Sequence, residues 1–117
     1  MTPKQREKCR EIFRHYGATK QRRQLIEECA ELIKAISKLE RALEAGDKVK
    51  EYEAVLSIRE EVADVEIMLQ QIKNDPQTVG TNNISRVIDY KLDRQLERIR
   101  GERNEKTAGS TQQGKIL

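Results

Sequence analysis

Aromatic side chains are nearly missing from this chain, which has no tryptophan, one phenylalanine and three tyrosines in 117 residues. Large rings supply much of the buried area of ordinary cores, so a deep, self-contained interior is not expected. Histidine occurs once, at His15, and cysteine twice, at Cys9 and Cys29. Neither cysteine stands at metal-ligand spacing from His15, and two cysteines make no disulfide framework. Cys29 falls on a mostly apolar helical face and is expected as a buried free thiol. A lone histidine also argues against the Glu-x-x-His pairs on which di-iron carboxylate bundles are built. There is no run of about eighteen apolar residues and no secretory leader, so the expected location is cytoplasmic, with no membrane partner. Two prolines leave few interruptions along the chain.

What the chain has in abundance is charge, at 37% of residues against 36% hydrophobic. One domain of this polarity has a thin core, and oligomerisation as a homodimer or homotetramer is the expected remedy. The charge is unevenly placed. Residues 1–23 carry net +6, residues 24–75 net −6 and residues 76–117 net +3. An acidic centre between basic flanks suits cations held centrally and a polyphosphate gripped from outside. Basic flanks alone are poor grounds for nucleic acid, and no recognition motif accompanies them.

Hydrophobic spacing is helical throughout, and no strand pattern stands out. Residues 3–16 predict a first helix, with Pro3 in its first turn and Gly17 ending it. A second helix is expected from about Lys20 to Ala45, and a third from about Lys48 to Lys73, stopped by Asn74-Asp75-Pro76. Gln77 to Asn83 forms a polar loop. A fourth helix is expected from about Ile84 to Arg100, capped by Asn82 or Asn83, with Val87, Ile88, Leu92, Leu96 and Ile99 facing inward. Almost no apolar residue follows, so a single domain over 1–100 with a disordered polar tail over 101–117 is expected. The fold class is all-α: an antiparallel helical hairpin with flanking helices, completing a four-helix-bundle type of core on oligomerisation.

Two stretches place acids in apolar helical stripes. Glu28 has Leu25 three residues before it and Leu32 four after. Glu61 lies between Ile58 and Val65, and Asp64 precedes Ile67 and Met68 by three and four. A carboxylate on a buried stripe is costly unless something pairs with it. Glu28 with Glu31, and Glu61 with Asp64, are i,i+3 pairs, and two such pairs point to a metal ion as the partner. Their common midpoint is about residue 46, where Ala45-Gly46-Asp47-Lys48 ends one helix and starts the next. Folding the chain there brings the pairs level, about 25 Å from the turn at roughly 1.5 Å per residue. Four carboxylates then converge as oxygen donors suited to hard divalent cations.

The arrangement Glu27-Glu28-x-x-Glu31 followed by Glu61-x-x-Asp64 resembles the EExxE…ExxD signature of the MazG-like all-α nucleoside triphosphate pyrophosphohydrolases, over about residues 12–100. His15-Tyr16-Gly17, Gln24-Leu25 and Ile36-Ser37-Lys38 look like the small phage and Firmicute members. The resemblance implies a Mg²⁺-dependent enzyme, with Mn²⁺ a substitute, that cuts a nucleoside triphosphate between its α and β phosphates. The products are a nucleoside monophosphate and pyrophosphate. It assigns Glu28, Glu31, Glu61 and Asp64 to metal binding and catalysis. Glu27, about 100° round the helix from Glu28, binds a metal, orients a water or pairs with Arg23. Bound metals neutralise phosphate oxygens and acidify a water, whose proton a nearby carboxylate can take.

Phosphate contacts are implied on the fourth helix. The family's Lys, Asn and Arg at i, i+4 and i+7 fall on Lys91, Gln95 and Arg98, with Gln95 standing where the family has Asn. Arg94 is an alternative ligand, and Lys38 matches the family's Ser-Lys. Ordinary pairing with Asp93, Glu97 or Glu102 is the plain alternative for these cations. For base stacking, Phe13, His15, Tyr16, Tyr52 and Tyr90 all stay open. The competing function is a non-catalytic helical adaptor or regulator that assembles through the same apolar faces.

Overall fold

A computed structural model describes residues 1–80 and 82–116, and the side chains of those up to residue 107. Every regular element among them is a helix: α1 (Pro3–Tyr16), α2 (Ala18–Ala45), α3 (Lys48–Ile72) and α4 (Ser85–Ile116). The all-α expectation holds, and the ends of α1 to α3 fall within about two residues of those read from the pattern. The chain divides into two units, Met1–Thr81 and Asn82–Leu117.

Caps explain how the first three helices follow one another so tightly. The Gln5 N–H donates to Thr2 Oγ1 at 3.1 Å and the Thr2 N–H to Gln5 Oε1 at 2.8 Å, a reciprocal capping box ahead of Pro3. Gly17 alone separates α1 from α2. Its N–H donates to the Phe13 carbonyl at 2.8 Å, and its carbonyl accepts the Gln21 N–H at 3.1 Å. At the other end of α2, Gly46 adopts the left-handed conformation (φ +66°, ψ +24°), and the Asp47 N–H donates to the Ala42 carbonyl at 3.0 Å. Asp47 then caps α3, accepting the Lys50 N–H at 3.1 Å. A two-residue link returns α3 antiparallel along α2, and α1 packs against both.

The interior of this unit is narrow. Its buried apolar residues are Cys9, Ala35, Ala42, Ala54, Met68 and Ile72. Half are alanine, which lets the helix backbones approach but buries little area. Larger stripe residues sit at the margins, with Ile26 69% and Ile33 66% exposed. Cys29 is half-buried, short of the burial expected of it.

The loop after α3 is tied back to α2 by a fully buried acid. Asp75 accepts from Arg22 Nη1 at 2.7 Å and from the Gln77 N–H at 3.0 Å, and Arg22 also donates to Gln77 Oε1 at 2.9 Å. Burial pushes the Asp75 carboxyl up, but the hydrogen bonds from Arg22 and Gln77, with the Arg22 charge and Thr78, outweigh it. The net effect holds Asp75 below its ordinary value of 3.8.

In the second unit, Asn83 Oδ1 accepts the Ser85 N–H at 2.9 Å in a turn just before α4, and the first helical bond runs from the Ile88 N–H to the Ile84 carbonyl, so Ile84 and not Asn83 stands at the cap position. The stripe from Val87 to Ile99, expected to face inward, is about half exposed. The helix also continues to Ile116, through the stretch expected to be disordered. Residues 101–116 hold three glycines beside seven Arg, Glu, Lys and Gln residues, so intrinsic propensity alone does not account for this extension. Among the described residues, no helix is long and apolar enough to cross a membrane.

Candidate metal centre

Antiparallel packing pairs residues whose numbers are symmetric about the turn. Glu28 on α2 is therefore level with Asp64 on α3, and Glu31 with Glu61. The carboxylates of Glu28, Glu61 and Asp64 each offer an oxygen, and these lie within 4.8 Å of one another. Glu28 and Glu61 are half-buried, whereas Asp64 is exposed. Glu31 is exposed and stands outside the closest three, yet its charge still acts on Glu61.

Three acids this close repel, and Glu61 bears most of the strain. Burial first, then the charges of Asp64, Glu28 and Glu31 and a hydrogen bond with Glu28, raise its carboxyl above the ordinary 4.5. Its Oε2 atom is buried and has no hydrogen-bond partner. Gln24 Nε2 donates to Glu28 Oε1 at 2.7 Å, which fixes the direction of that carboxylate. An all-oxygen set with one orphaned buried atom fits a hard divalent cation such as Mg²⁺ or Mn²⁺.

Beside this cluster opens a cleft of about 530 Å³, its lining running along α2 from Lys20 to Glu28 and along α3 from Asp64 to Gln71. Lys20 and Arg23 supply two cations, Gln21 and Gln71 two buried amides, and Tyr16 on α1 a half-exposed ring. Glu27 lines the same wall. Among the described residues it makes no ion pair with Arg23, so the structural pairing weighed for Glu27 does not form.

The remaining candidates are not among the residues that line this cleft. Lys38 lines a second cleft of about 640 Å³, together with Arg41 and Lys50 near the Gly46 turn. Ten residues separate it from Glu28, about 15 Å along the helix. Lys91, Arg94, Gln95 and Arg98 are exposed on α4, in the second unit, and none of them pairs with an acid among the described residues. Arg94 lies over the Tyr90 ring, 5.7 Å from its centroid. His15 meets Tyr16 edge to face at 4.7 Å, Phe13 is half-buried and Tyr52 exposed.

Lys20, Gln21, Arg23, Gln24 and Gln71 were not apparent as site residues from the sequence. The signal was available: Gln21, Gln24 and Glu28 recur at i, i+3 and i+7, as Asp64, Met68 and Gln71 do at i, i+4 and i+7. Extending the acid stripe two turns away from the hairpin turn reaches both amides. Comparison of the chain with family models, with curated proteins and with solved structures gives no match.

Proposed function

We propose that this chain is a Mg²⁺-dependent nucleoside triphosphate pyrophosphohydrolase, releasing pyrophosphate and a nucleoside monophosphate from an NTP or dNTP. The observation that carries this reading is the convergence of Glu28, Glu61 and Asp64, with an unpartnered Glu61 oxygen, beside a cleft that also holds Lys20 and Arg23. The resemblance of Glu27-Glu28-x-x-Glu31 and Glu61-x-x-Asp64 to the MazG-like signature supplies the reaction class and the α–β cleavage position. Glu28, Glu61 and Asp64 hold the cation, Glu31 and Glu27 complete the acidic surround, and Gln24 keeps Glu28 in position. Mg²⁺ held by Glu28, Glu61 and Asp64 would supply positive charge to the polyphosphate oxygens and would acidify a bound water. Lys20 and Arg23 bind phosphate from the cleft wall, and a carboxylate of the cluster accepts the proton of the attacking water. Lys91, Arg94, Gln95 and Arg98 on α4, and Lys38 by the turn, remain further phosphate ligands within this reading. The enzyme acts in the cytoplasm as a homodimer or homotetramer.

An end-point assay across the eight common NTPs and dNTPs, with Mg²⁺ or EDTA, tests the reading. Pyrophosphate and monophosphate formed only with Mg²⁺ support it. Orthophosphate alone, or no product from folded protein, overturns it.

The exposed apolar residues of α2 and α3 favour one competitor, a helical adaptor that uses the same hairpin only to assemble. Glu28→Gln separates the two. An adaptor keeps its partner and gains stability without metal, whereas the enzyme loses its turnover.

A further inference from the structure

We infer that α4 is a self-association face, which pairs in parallel and in register with α4 of a second copy of this chain. The inference goes beyond the hydrolase reading and holds whether or not the chain turns over a nucleotide. Ile84 just before α4, then Ile88, Leu92 and Leu96 within it, recur every four residues, and Ile99 follows three later. That spacing lines them along one stripe of the helix. Ile88, Leu92, Leu96 and Ile99 are 41–53% exposed, and no described side chain of α4 is buried. A helix in water draws most of its stability from packing such a stripe. Since α4 runs to Ile116 across Gly101, Gly109 and Gly114, propensity does not stand in for that packing. The stripe calls for a cover.

The charges beside it identify the cover. At about 100° per residue, Asp89, Asp93 and Glu97 run along one edge of the stripe, and Lys91 and Arg98 along the other. Further on the signs exchange, with Arg100 on the first edge and Glu102 on the second. Among the described residues none of these charges is in an ion pair. In a parallel pair related by a two-fold axis, the first edge of each helix faces the second edge of its copy. Lys91 then stands by Asp89 and Asp93 of the other copy, Arg98 by Glu97, and Glu102 by Arg100. On the stripe itself Leu92 meets Leu92 and Ile99 meets Ile99. An antiparallel pair sets each edge against itself. With the stripes fully overlapped, it brings Lys91 against Lys91 and Asp89 against Asp93. Charge thus selects the parallel sense, and the apolar stripe matches its own copy residue for residue. Arg94 takes no part, because it lies over the Tyr90 ring on the far side of the helix.

The test places single cysteines in the full-length chain with Cys9 and Cys29 replaced by Ala. Leu92→Cys and Ile99→Cys are seven residues apart on the stripe, and Tyr90→Cys is on the far side. Each protein is oxidised with diamide, and covalent dimer is followed on non-reducing gels. Both stripe variants are expected to cross-link roughly tenfold faster than Tyr90→Cys or more, because a parallel pair holds each position beside its own copy. A cross-link at only one stripe position marks an antiparallel or displaced pair and overturns the inference. No cross-link at either position also overturns it. Maleimide then tells what covers the stripe instead: reactive thiols leave it to a different protein, and protected thiols in a chain that sediments alone assign it to the chain itself. Should the cysteine-free background fail to fold, sedimentation equilibrium is run on Asp89→Asn/Asp93→Asn in an Ile26→Glu/Ile33→Glu background, which removes the exposed hairpin face from the comparison. Losing the acids is expected to raise the dimer Kd by about threefold or more. A Kd that is unchanged or lower, or a background that does not self-associate, overturns the inference.

Discussion

One carboxyl on the hairpin is held above its ordinary value and another below it, so the two respond to pH in opposite directions. Glu61 is raised by burial and by the acids around it. The folded chain holds this proton more tightly than the unfolded one, so the contribution is fullest below 4.5 and is lost as pH rises through the raised folded value. At neutral pH the ionised cluster therefore weakens the metal-free hairpin. Glu61→Gln is expected to raise the Tm in EDTA by roughly a few degrees while removing the stabilisation that Mg²⁺ gives the wild type. Thermal melts with EDTA and with Mg²⁺ check this. An equal Mg²⁺ shift in a Glu28→Ala/Glu61→Ala double variant would rule out a metal centre there. Asp75 is the opposite case: its carboxyl is depressed, so its contribution is present above 3.8 and lost as pH falls through the folded value. Arg22→Met leaves that acid buried without its cation. The Tm is expected to fall by roughly 10 °C at neutral pH, and by less at about pH 4, where a desolvated carboxyl can take up a proton. A loss as large at both pH values would show that Arg22 contributes through its aliphatic stem alone.

At the scale of elements, the α2–α3 turn sets the register on which the acids depend. Gly46 holds a left-handed conformation, and a Cβ built on it meets nothing within 4 Å. The cost of Gly46→Ala is thus a backbone cost alone, about 1 kcal/mol or a Tm lower by roughly 4–8 °C, with Asn closer to wild type. Urea denaturation checks the magnitude, and no loss would mean the turn relaxes without the left-handed residue. This turn is also why so much of the fold was legible in the sequence. A helical period, a glycine stop and an Asp cap placed Glu28 against Asp64 before any coordinates, and the same symmetry places Gln21 against Gln71. The amides went unnoticed because an uncharged polar residue on a helix carries no obvious cost, whereas a buried acid does. Arg22 and Asp75 are 53 positions apart and meet only because the loop after α3 folds back, which no local pattern encodes. Lys38 lies on the α2 acid stripe, and the helix carries it toward the turn, into the second cleft with Arg41 and Lys50.

For the molecule as a whole, the imbalance lies between what is buried and what is left in water. Six apolar residues are buried among those described, three of them alanine, while Ile26, Ile33, Ile36, Leu43, Val49 and Leu56 on the hairpin stay exposed. Exposed apolar patches of more than a few hundred Å² mark association surfaces in soluble proteins, and the few residues buried here are a small core for a chain of 13.6 kDa. The expected outcome of sedimentation equilibrium is a mass of at least two chains. Ile26 and Ile33 are two turns apart on one face of α2 and are the most exposed of its large apolar residues. Ile26→Glu/Ile33→Glu is therefore expected to shift the species toward 13.6 kDa and to lower the Tm in a concentration-dependent way. Both positions lie outside the lining of the acidic cleft, so Mg²⁺ binding in the variant reports whether the carboxylate cluster is complete within one chain. Binding that survives dissociation assigns the cluster to the single hairpin, whereas binding lost with the oligomer means that a second copy supplies part of it. A wild type that already sediments as one chain would leave these faces for a different protein, and that result would move the balance toward the adaptor.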